Sequence, residues 1–564
     1  SKISFGLRES LFVEYVFKIK FYLMKGDDSL TLQTFNVLKQ SKQAPSEQEW
    51  ERAISSVIRQ STRSCEPVNA FDGQLLDTIK DTMRAGNELI LSELALAATE
   101  DRITKRFYNL ENMKQNLEDF LVERKETNFF NNPYYKKARK TLLEVLHMHV
   151  DKIEPLTFDE NLTIYDVFSN LQASVGCLYP GKRKIDEWGY IRDVAKQIHK
   201  ELPKQNQLFA IPYHRAQISG YVGKNGKLRP KATKHKDRLV WCVDAATVLI
   251  ESLYARPFID KVLTHIQNYA GGKDDNYISN LLIAWNVDNW ISIDYSKYDS
   301  TVQAWLIKDV FDIIRSFFSK RDVKVLQWIE NQFIHTRILD FDGNISTKHR
   351  GIPSGSYFTQ IVGSLVNALV ILTYEFARFR GNEAKVWEDM RYGDWLRFMT
   401  MGDDNIVFTR NKISLDDLAS YVEHNFGLVI NVEKCSSGNF TCKPDFLKRR
   451  WTTSGAERNI LELLVNAIHP EYRREYEEKG FSPYHILYGY FYTYRGTMKR
   501  YFFETDIIKG MAENGGAGKL NSINLQDLPG SFRMLKLNNR RLWDRLIQRL
   551  AAAEEKLKLS AGNF

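Results

Sequence analysis

The stretch LRFMTMGDDNIVFT, Leu396 to Thr409, decides how this chain is read. Two apolar runs flank Gly402-Asp403-Asp404-Asn405, residue types that favour a tight turn. The pattern predicts a β-hairpin with two adjacent acids at its tip. Adjacent carboxylates repel each other unless a cation compensates them, and a turn between such apolar strands has no structural need of both. Oxygen ligands at strand ends suit Mg²⁺, which takes one or two carboxylates and completes its shell with water and substrate phosphate. The letters alone do not identify a site. Gly26-Asp27-Asp28 repeats them, and Asp274-Asp275 and Asp416-Asp417 are further acidic pairs. Only order along the chain separates the hairpin from these.

Upstream, Ile291-Ser292-Ile293-Asp294 alternates like a strand and ends in an acid. Asp299 follows where the chain turns into a helix with the stripe Val302, Leu306, Val310, Ile313 and Phe317. Such a strand end and helix start can face one cleft. Taken alone, Asp294 passes for a turn residue and Asp299 for a helix-dipole acid. Next, Arg350-Gly351-Ile352-Pro353-Ser354-Gly355-Ser356 feeds a long apolar helix from about Tyr357. Gly and Ser there allow close backbone approach, and a helix N-terminus offers N–H groups to an anion or a ribose hydroxyl. A plain capped helix is the alternative. Earlier, Gly223–Arg238 holds Lys224, Lys227, Arg229, Lys231, Lys234, Lys236 and Arg238 against Asp237 alone, with Lys224–Lys227 suggesting a hairpin turn. A solvated face is the usual meaning of such a run. Here it abuts Leu239-Val240-Trp241, a strand that should anchor Arg238 for bidentate phosphate contact.

The 564 residues suffice for two to four packed subdomains, and 43% hydrophobic content excludes general disorder. A net charge of +9 fits an anionic partner such as RNA without requiring one. Five scattered cysteines show no zinc-ligand spacing, so a reduced protein without structural disulfides is expected. The opening residues show no secretory pattern. Gly351–Glu375 is long and nearly uncharged, but Pro353, Ser354, Thr359, Gln360 and Asn367 interrupt it, which predicts a buried helix rather than a membrane span. The first 200 or so residues read as helical, 285–451 as short strands alternating with long helices, and the remainder as helical again. Arg540–Leu559 predicts a basic amphipathic helix packed on the surface. His147/His149 and Gly515–Leu520 lack the spacing of a metal pair and a phosphate loop.

This ordered set resembles the motifs of viral RNA-dependent RNA polymerases. Asp294–Asp299 is similar to motif A, Ser354-Gly355 with Thr359 to motif B, and Gly402-Asp403-Asp404 to motif C. Phe426–Lys434 is similar to motif D, Phe446–Trp451 to motif E, and the run ending Arg238-Leu239-Val240 to motif F. Within that family, Arg238–Asp244, Arg256-Pro257 and Pro353–Gln360 most resemble the double-stranded RNA viruses of the picobirnavirus and partitivirus group, picobirnaviruses above all.

The resemblance implies an α+β fold, a cupped right hand with helical fingers and thumb around an antiparallel-sheet palm. Its expected divisions are an N-terminal extension over 1–70, fingers over 71–285 with an insertion near 318–350, palm over 286–317 and 351–452, and thumb over 453–564. It implies Asp294, Asp403 and Asp404 as ligands of two Mg²⁺ ions, with Mn²⁺ as a substitute, and Lys434 as the acid that protonates pyrophosphate. Arg238 and Lys236 would bind the triphosphate, and Ser354, Gly355, Thr359, Asp299 and Asn367 the nucleotide and its ribose. The family commonly carries Asn four residues after the motif B Thr; here that position is Gly363, and Asn367 is the nearest Asn. Template RNA, nascent RNA, ribonucleoside triphosphates and a capsid protein are the implied partners of a monomer. No membrane partner is implied, and the expected location is the virion interior and host cytoplasm. A reverse transcriptase and a non-enzymatic RNA-packaging protein are the alternatives.

Overall fold

In the computed structural model of the chain, residues 70–562 are described apart from 100–108, 124, 180, 205–207, 220–226, 228–233, 342–343, 472 and 526–527. The expected extension over 1–70 (but for Ala70), the Asp27-Asp28 pair and the Lys224–Gly226 turn lie outside the described residues. Helix α1 (Gly73–Thr82) begins at Asp72, whose carboxylate accepts from the Leu75 N–H at 2.9 Å, an ordinary N-cap. Helix α2 (Glu88–Thr99) follows. Leu75, Ile79 and Leu94 are buried in one core with residues of the C-terminal part, including Leu464, Met511 and Trp543. Residues 70–99, the start of the span expected as fingers, thus pack with the segment beyond 453. The N–H groups of Ala70 and Asp72 donate to the carbonyls of Pro470 and Ile468 at 2.9 and 2.8 Å. Asp72 also accepts from Arg474 at 2.7 Å and from the Tyr476 hydroxyl.

Helix α3 (Leu110–Phe120) lies elsewhere, with Leu117 and Phe120 buried against Ala210, Trp241 and Ile338. Strands β1 (Ile211–Ser219) and β2 (Lys234–Cys242) pair antiparallel with Arg215 opposite Arg238, so the basic run ends on the second strand of a hairpin. After β2 the chain enters α4 (Ala245–Lys261), capped by Asp244 and buried around most of its circumference. Asp274 caps α5 (Asp275–Trp285), and Asp275 pairs with Arg449 at 2.9 Å, which accounts for that acidic pair. Strand β3 (Asn289–Ser292) leads to Asp294, and a short helical turn over Tyr298–Thr301 precedes α6 (Ala304–Arg315). Leu306, Val310 and Ile313 of the predicted stripe are buried on α6.

Helix α7 (Thr359–Arg378) is the long apolar segment; 89% of its most apolar window is buried in the protein, as a core helix requires. Strands β4 (Phe398–Met401) and β5 (Asp404–Thr409) form the predicted hairpin, Met401 facing Asp404. Ser414 caps α8 (Leu415–Phe426), with Asp416-Asp417 in its first turn, favourable to the helix dipole. Strand β6 (Ser436–Asn439) completes an antiparallel sheet of order β6-β3-β5-β4. A second sheet, β7 (Asp445–Phe446), β8 (Arg449–Thr452) and β9 (Gly455–Glu457), leads to α9 (Ile460–Ile468). The last helix, α10 (Arg540–Ala561), buries Trp543, Leu546 and Leu550 and leaves its end exposed, a packed surface helix as predicted.

Asp72 ties the two ends of the described chain together, so Asp72→Ala should remove a cap and leave the Arg474 guanidinium without its carboxylate. A loss of about 3 kcal/mol is expected, read as a lowered midpoint in urea unfolding followed by tryptophan fluorescence.

Candidate active site

The hairpin tip turns at Gly402, whose φ of +61° lies in the left-handed region that glycine adopts without strain. Asp403 is exposed and Asp404 half-buried. Helix α7 holds this tip from beneath. The Ser364 hydroxyl accepts from the Gly402 N–H at 2.8 Å. Asn367, fully buried, donates its amide N–H groups towards the carbonyls of Gly402, Asp403 and Asp404 at 3.1, 3.0 and 3.3 Å. Its oxygen accepts from the Tyr295 hydroxyl at 3.1 Å. A Cβ at position 363 would stand 3.2 Å from the Gly402 Cα, tighter than side chains ordinarily pack. Gly363 therefore lets the helix touch the turn, and its carbonyl accepts from the Tyr298 hydroxyl at 2.6 Å.

Asn405 ties the tip to the neighbouring strand. Its oxygen accepts from the Ile293 N–H at 2.9 Å, and its amide nitrogen donates to the Ile293 and Asp403 carbonyls at 3.1 and 3.3 Å. One side chain thus fixes Asp294, the next residue, relative to Asp403. Asp294 is held further through its backbone: its N–H meets the Cys435 Sγ at 3.3 Å and its carbonyl accepts from the Asn431 N–H at 2.8 Å. Lys434, one short turn after Asn431, is exposed, and among the described residues it forms no ion pair.

The loop before α7 packs against the end of β2. The Ser354 hydroxyl accepts from the Trp241 N–H at 3.1 Å. A Cβ on Gly355 would fall 1.7 Å from the Trp241 carbonyl oxygen, which excludes every other residue without backbone movement. Thr359 donates to the Pro353 and Ser356 carbonyls, both at 2.8 Å, so its hydroxyl closes the loop instead of facing the cleft. Behind the loop, buried Glu251 accepts from the Ser356 hydroxyl and from the Tyr357 N–H at 3.4 Å, and burial pushes its carboxyl up to about 8. Asp299 joins the same loop through its carbonyl, which accepts from the Ile352 N–H at 2.6 Å.

The acids and cations share one field. The surface of Asp299 is open to solvent, yet the cleft around its carboxyl holds so much protein that desolvation pushes it up to about 7. Asp403 adds to the rise, and Arg238 opposes it. Asp404 is pushed up to about 6 by burial and then by Asp403; Lys448 opposes most, Asp294 adds, and Arg238 opposes. Lys448 stands on the β7–β8 turn, where Leu447 and Lys448 both have left-handed φ, of 55° and 58°. Four carboxylates with two cations leave an excess of negative charge for divalent ions to balance. Among the described residues no three His, Cys, Asp or Glu side chains close around one point. A Mg²⁺ ion that takes one or two carboxylates, and phosphate and water for the rest, does not need three.

Of the predicted site residues, Asp294, Asp299, Arg238, Asp403 and Asp404 come together, with Ser354-Gly355 beside them. Asn367 supports the tip and Thr359 closes its own loop. Lys236 lies on β2 opposite Gln217, and its side chain is outside those described. Asn405, Ser364 and Lys448 went unmarked in the sequence. Asn405 carried a signal in directly following the two aspartates; Lys448 carried none beyond its motif, and Ser364 carried none.

Comparison with known proteins follows the same lines. The family described as "Viral RNA-dependent RNA polymerase" matches residues 85–468. The RNA-directed RNA polymerase of Cryptosporidium parvum virus 1 (strain KSU-1) is 32% identical over 290 residues, covering 48% of this chain and 51% of that one. That of Atkinsonella hypoxylon virus is 28% identical over 162 residues, 27% of this chain and 23% of its own. The alignments thus span about half, and about a quarter, of these relatives. The RNA-dependent RNA polymerase of a human picobirnavirus shares the fold at a TM-score of 0.55 and 13% identity, covering 90% of this chain and 95% of that one; an insertion-loop deletion mutant of it gives 0.56.

Glu251 generates a pH prediction. Its native carboxyl titrates near 8, against an ordinary 4.5 unfolded, so the folded chain holds the extra proton between these values. Stability from this group is then greatest at low pH and falls as pH rises towards 8. Glu251→Gln should flatten the decline of the melting temperature between about pH 5 and pH 8; an unchanged slope in scanning calorimetry would exclude this.

Proposed function

The chain belongs to the viral RNA-dependent RNA polymerase family, and from that premise we propose that it copies RNA from ribonucleoside triphosphates at the Asp294, Asp403 and Asp404 cluster. The observation that carries this reading is the Asn405 amide, which holds the strand ending in Asp294 and the turn carrying Asp403 at one place. Asp294 and Asp403, with Asp404 assisting, would hold two divalent ions, Mg²⁺ or Mn²⁺, whose charge would activate a 3′-hydroxyl and stabilise the displaced phosphate. Arg238, with Lys236 from the same strand, would neutralise the triphosphate. Exposed Lys434 would give a proton to the leaving pyrophosphate.

Ribose recognition follows from proton positions. Ser354 accepts a hydrogen bond from Trp241 and so keeps its own O–H to donate. Asp299, raised to about 7, can accept or donate near neutral pH, which suits a 2′-hydroxyl that does both. We place Asn367 outside this shell, because its amide donates to the tip. Template and nascent RNA would occupy the basic side of the cleft. Genome replication and transcription by a monomer inside the virion and in the host cytoplasm, in contact with capsid protein, complete the proposal.

Asp403→Ala or Asp294→Ala should lower RNA synthesis on an RNA template at least about 1,000-fold while RNA binding is retained; a variant that still polymerises would favour a packaging role. A preference for deoxyribonucleotides in the wild type would favour a reverse transcriptase. Asn367→Ala should lower kcat about tenfold with the ribose-to-deoxyribose preference intact. Collapse of that preference instead would return Asn367 to the ribose shell.

A further inference from the structure

Helix α3 belongs to none of the elements that the sequence marks out, yet three of them meet on it. On one side, Asn112 donates to the Asp237 carboxylate at 2.7 Å and Asn116 donates to the Asp237 carbonyl at 2.6 Å. Asp237 directly precedes Arg238 on β2, and side chains alternate along a strand, so an Asp237 turned to α3 sets Arg238 on the opposite face. At the other end, Asp119 pairs with Lys297 at 2.7 Å. Lys297 has φ of +53°, a conformation that costs a non-glycine residue about 1 kcal/mol. It stands two residues before Asp299, so whatever holds it there aims Asp299. The Asp119 carbonyl also accepts from Arg350 at 2.9 Å. Next to it, Phe120 meets the Trp241 ring edge-on at 4.9 Å and fills the space that a Cβ on Gly351 would enter, 2.7 Å away.

We propose that α3 is a positioning brace for the incoming nucleotide, in which Asp119 couples Lys297 and Arg350 while Asn112 and Asn116 hold the Arg238 strand. Asp119 touches no substrate. It fixes the distance between the residue that meets the triphosphate and the residue that meets the ribose. The inference rests on the polymerase reading above and adds to it a residue outside every motif.

The test is steady-state synthesis on an RNA template with Mg²⁺, varying a ribonucleotide and its 2′-deoxy counterpart. Asp119→Ala should raise the ribonucleotide KM about five- to tenfold, change kcat by less than about threefold, and reduce discrimination against the deoxynucleotide. Lys297→Ala, an exposed residue whose loss spares the core, should do the same. The double variant should be no worse than the poorer single one, because both break one link. Asn112→Ala with Asn116→Ala should raise KM with discrimination less affected. Unchanged KM and discrimination in both Asp119→Ala and Lys297→Ala would overturn the brace. So would a loss of activity that merely tracks a lowered melting temperature. An inactive wild type would instead overturn the polymerase reading, which keeps the two failures distinct.

Discussion

The contact between Gly363 of the long helix and Gly402 of the hairpin turn is the constraint on which the site depends. Two backbones can approach this closely only where neither carries a side chain towards the other. The approach brings Asn367 and Ser364 within hydrogen-bond reach of the turn, and together they satisfy its N–H and carbonyl groups from below. A turn with two adjacent aspartates is electrostatically unfavourable, and interactions with its backbone keep it in place without neutralising its side chains. The carboxylates are thus left uncompensated by design of the scaffold, and the negative field is available to ions. Tyr295 and Tyr298, both buried, join the first aspartate element to the same helix, so two segments far apart in sequence share one support.

A second consequence concerns chemistry at neutral pH. Arg238 and Lys448 lie on separate hairpins and act on the acids from different directions. Among the described residues, neither neutralises a carboxylate in a closed ion pair. A basic group left open in this way can exchange its partner for a phosphate without first breaking a buried bridge, whose disruption is costly.

How much of this was legible in the sequence depended on range. The β4–β5 hairpin and its acids were visible because turn chemistry and alternation are local, and order along the chain distinguished Asp403-Asp404 from Asp274-Asp275 and Asp416-Asp417, which serve helix starts. Gly363 was visible as a departure, but its reason was not, since a 3.2 Å approach to Gly402 is a property of two segments at once. The same limit hid the backbone partners of Asn367 and Thr359, which only the folded chain brings to them. That residues 71–99 pack with the segment beyond 453 was not legible, because helical texture is alike along both stretches and the shared core and the Asp72–Arg474 pair join residues far apart in sequence. Helix α3 left no trace, for its Asn and Asp residues look like an ordinary solvated face.

The way α1 and α2 complete the C-terminal core has a consequence for how the chain comes to be folded. Asp72 and Arg474 are 402 residues apart. On a ribosome adding about 5–20 residues per second, the two helices wait about 20–80 seconds for the surface that covers them. During that interval Leu75, Ile79 and Leu94 lack the C-terminal residues that bury them, while the sheet and helix α7 can already assemble. The seam between residues 70–99 and the segment beyond 453 can close only after that segment has been made, and apolar surface left open in the meantime is exposed to aggregation and open to assistance by chaperones.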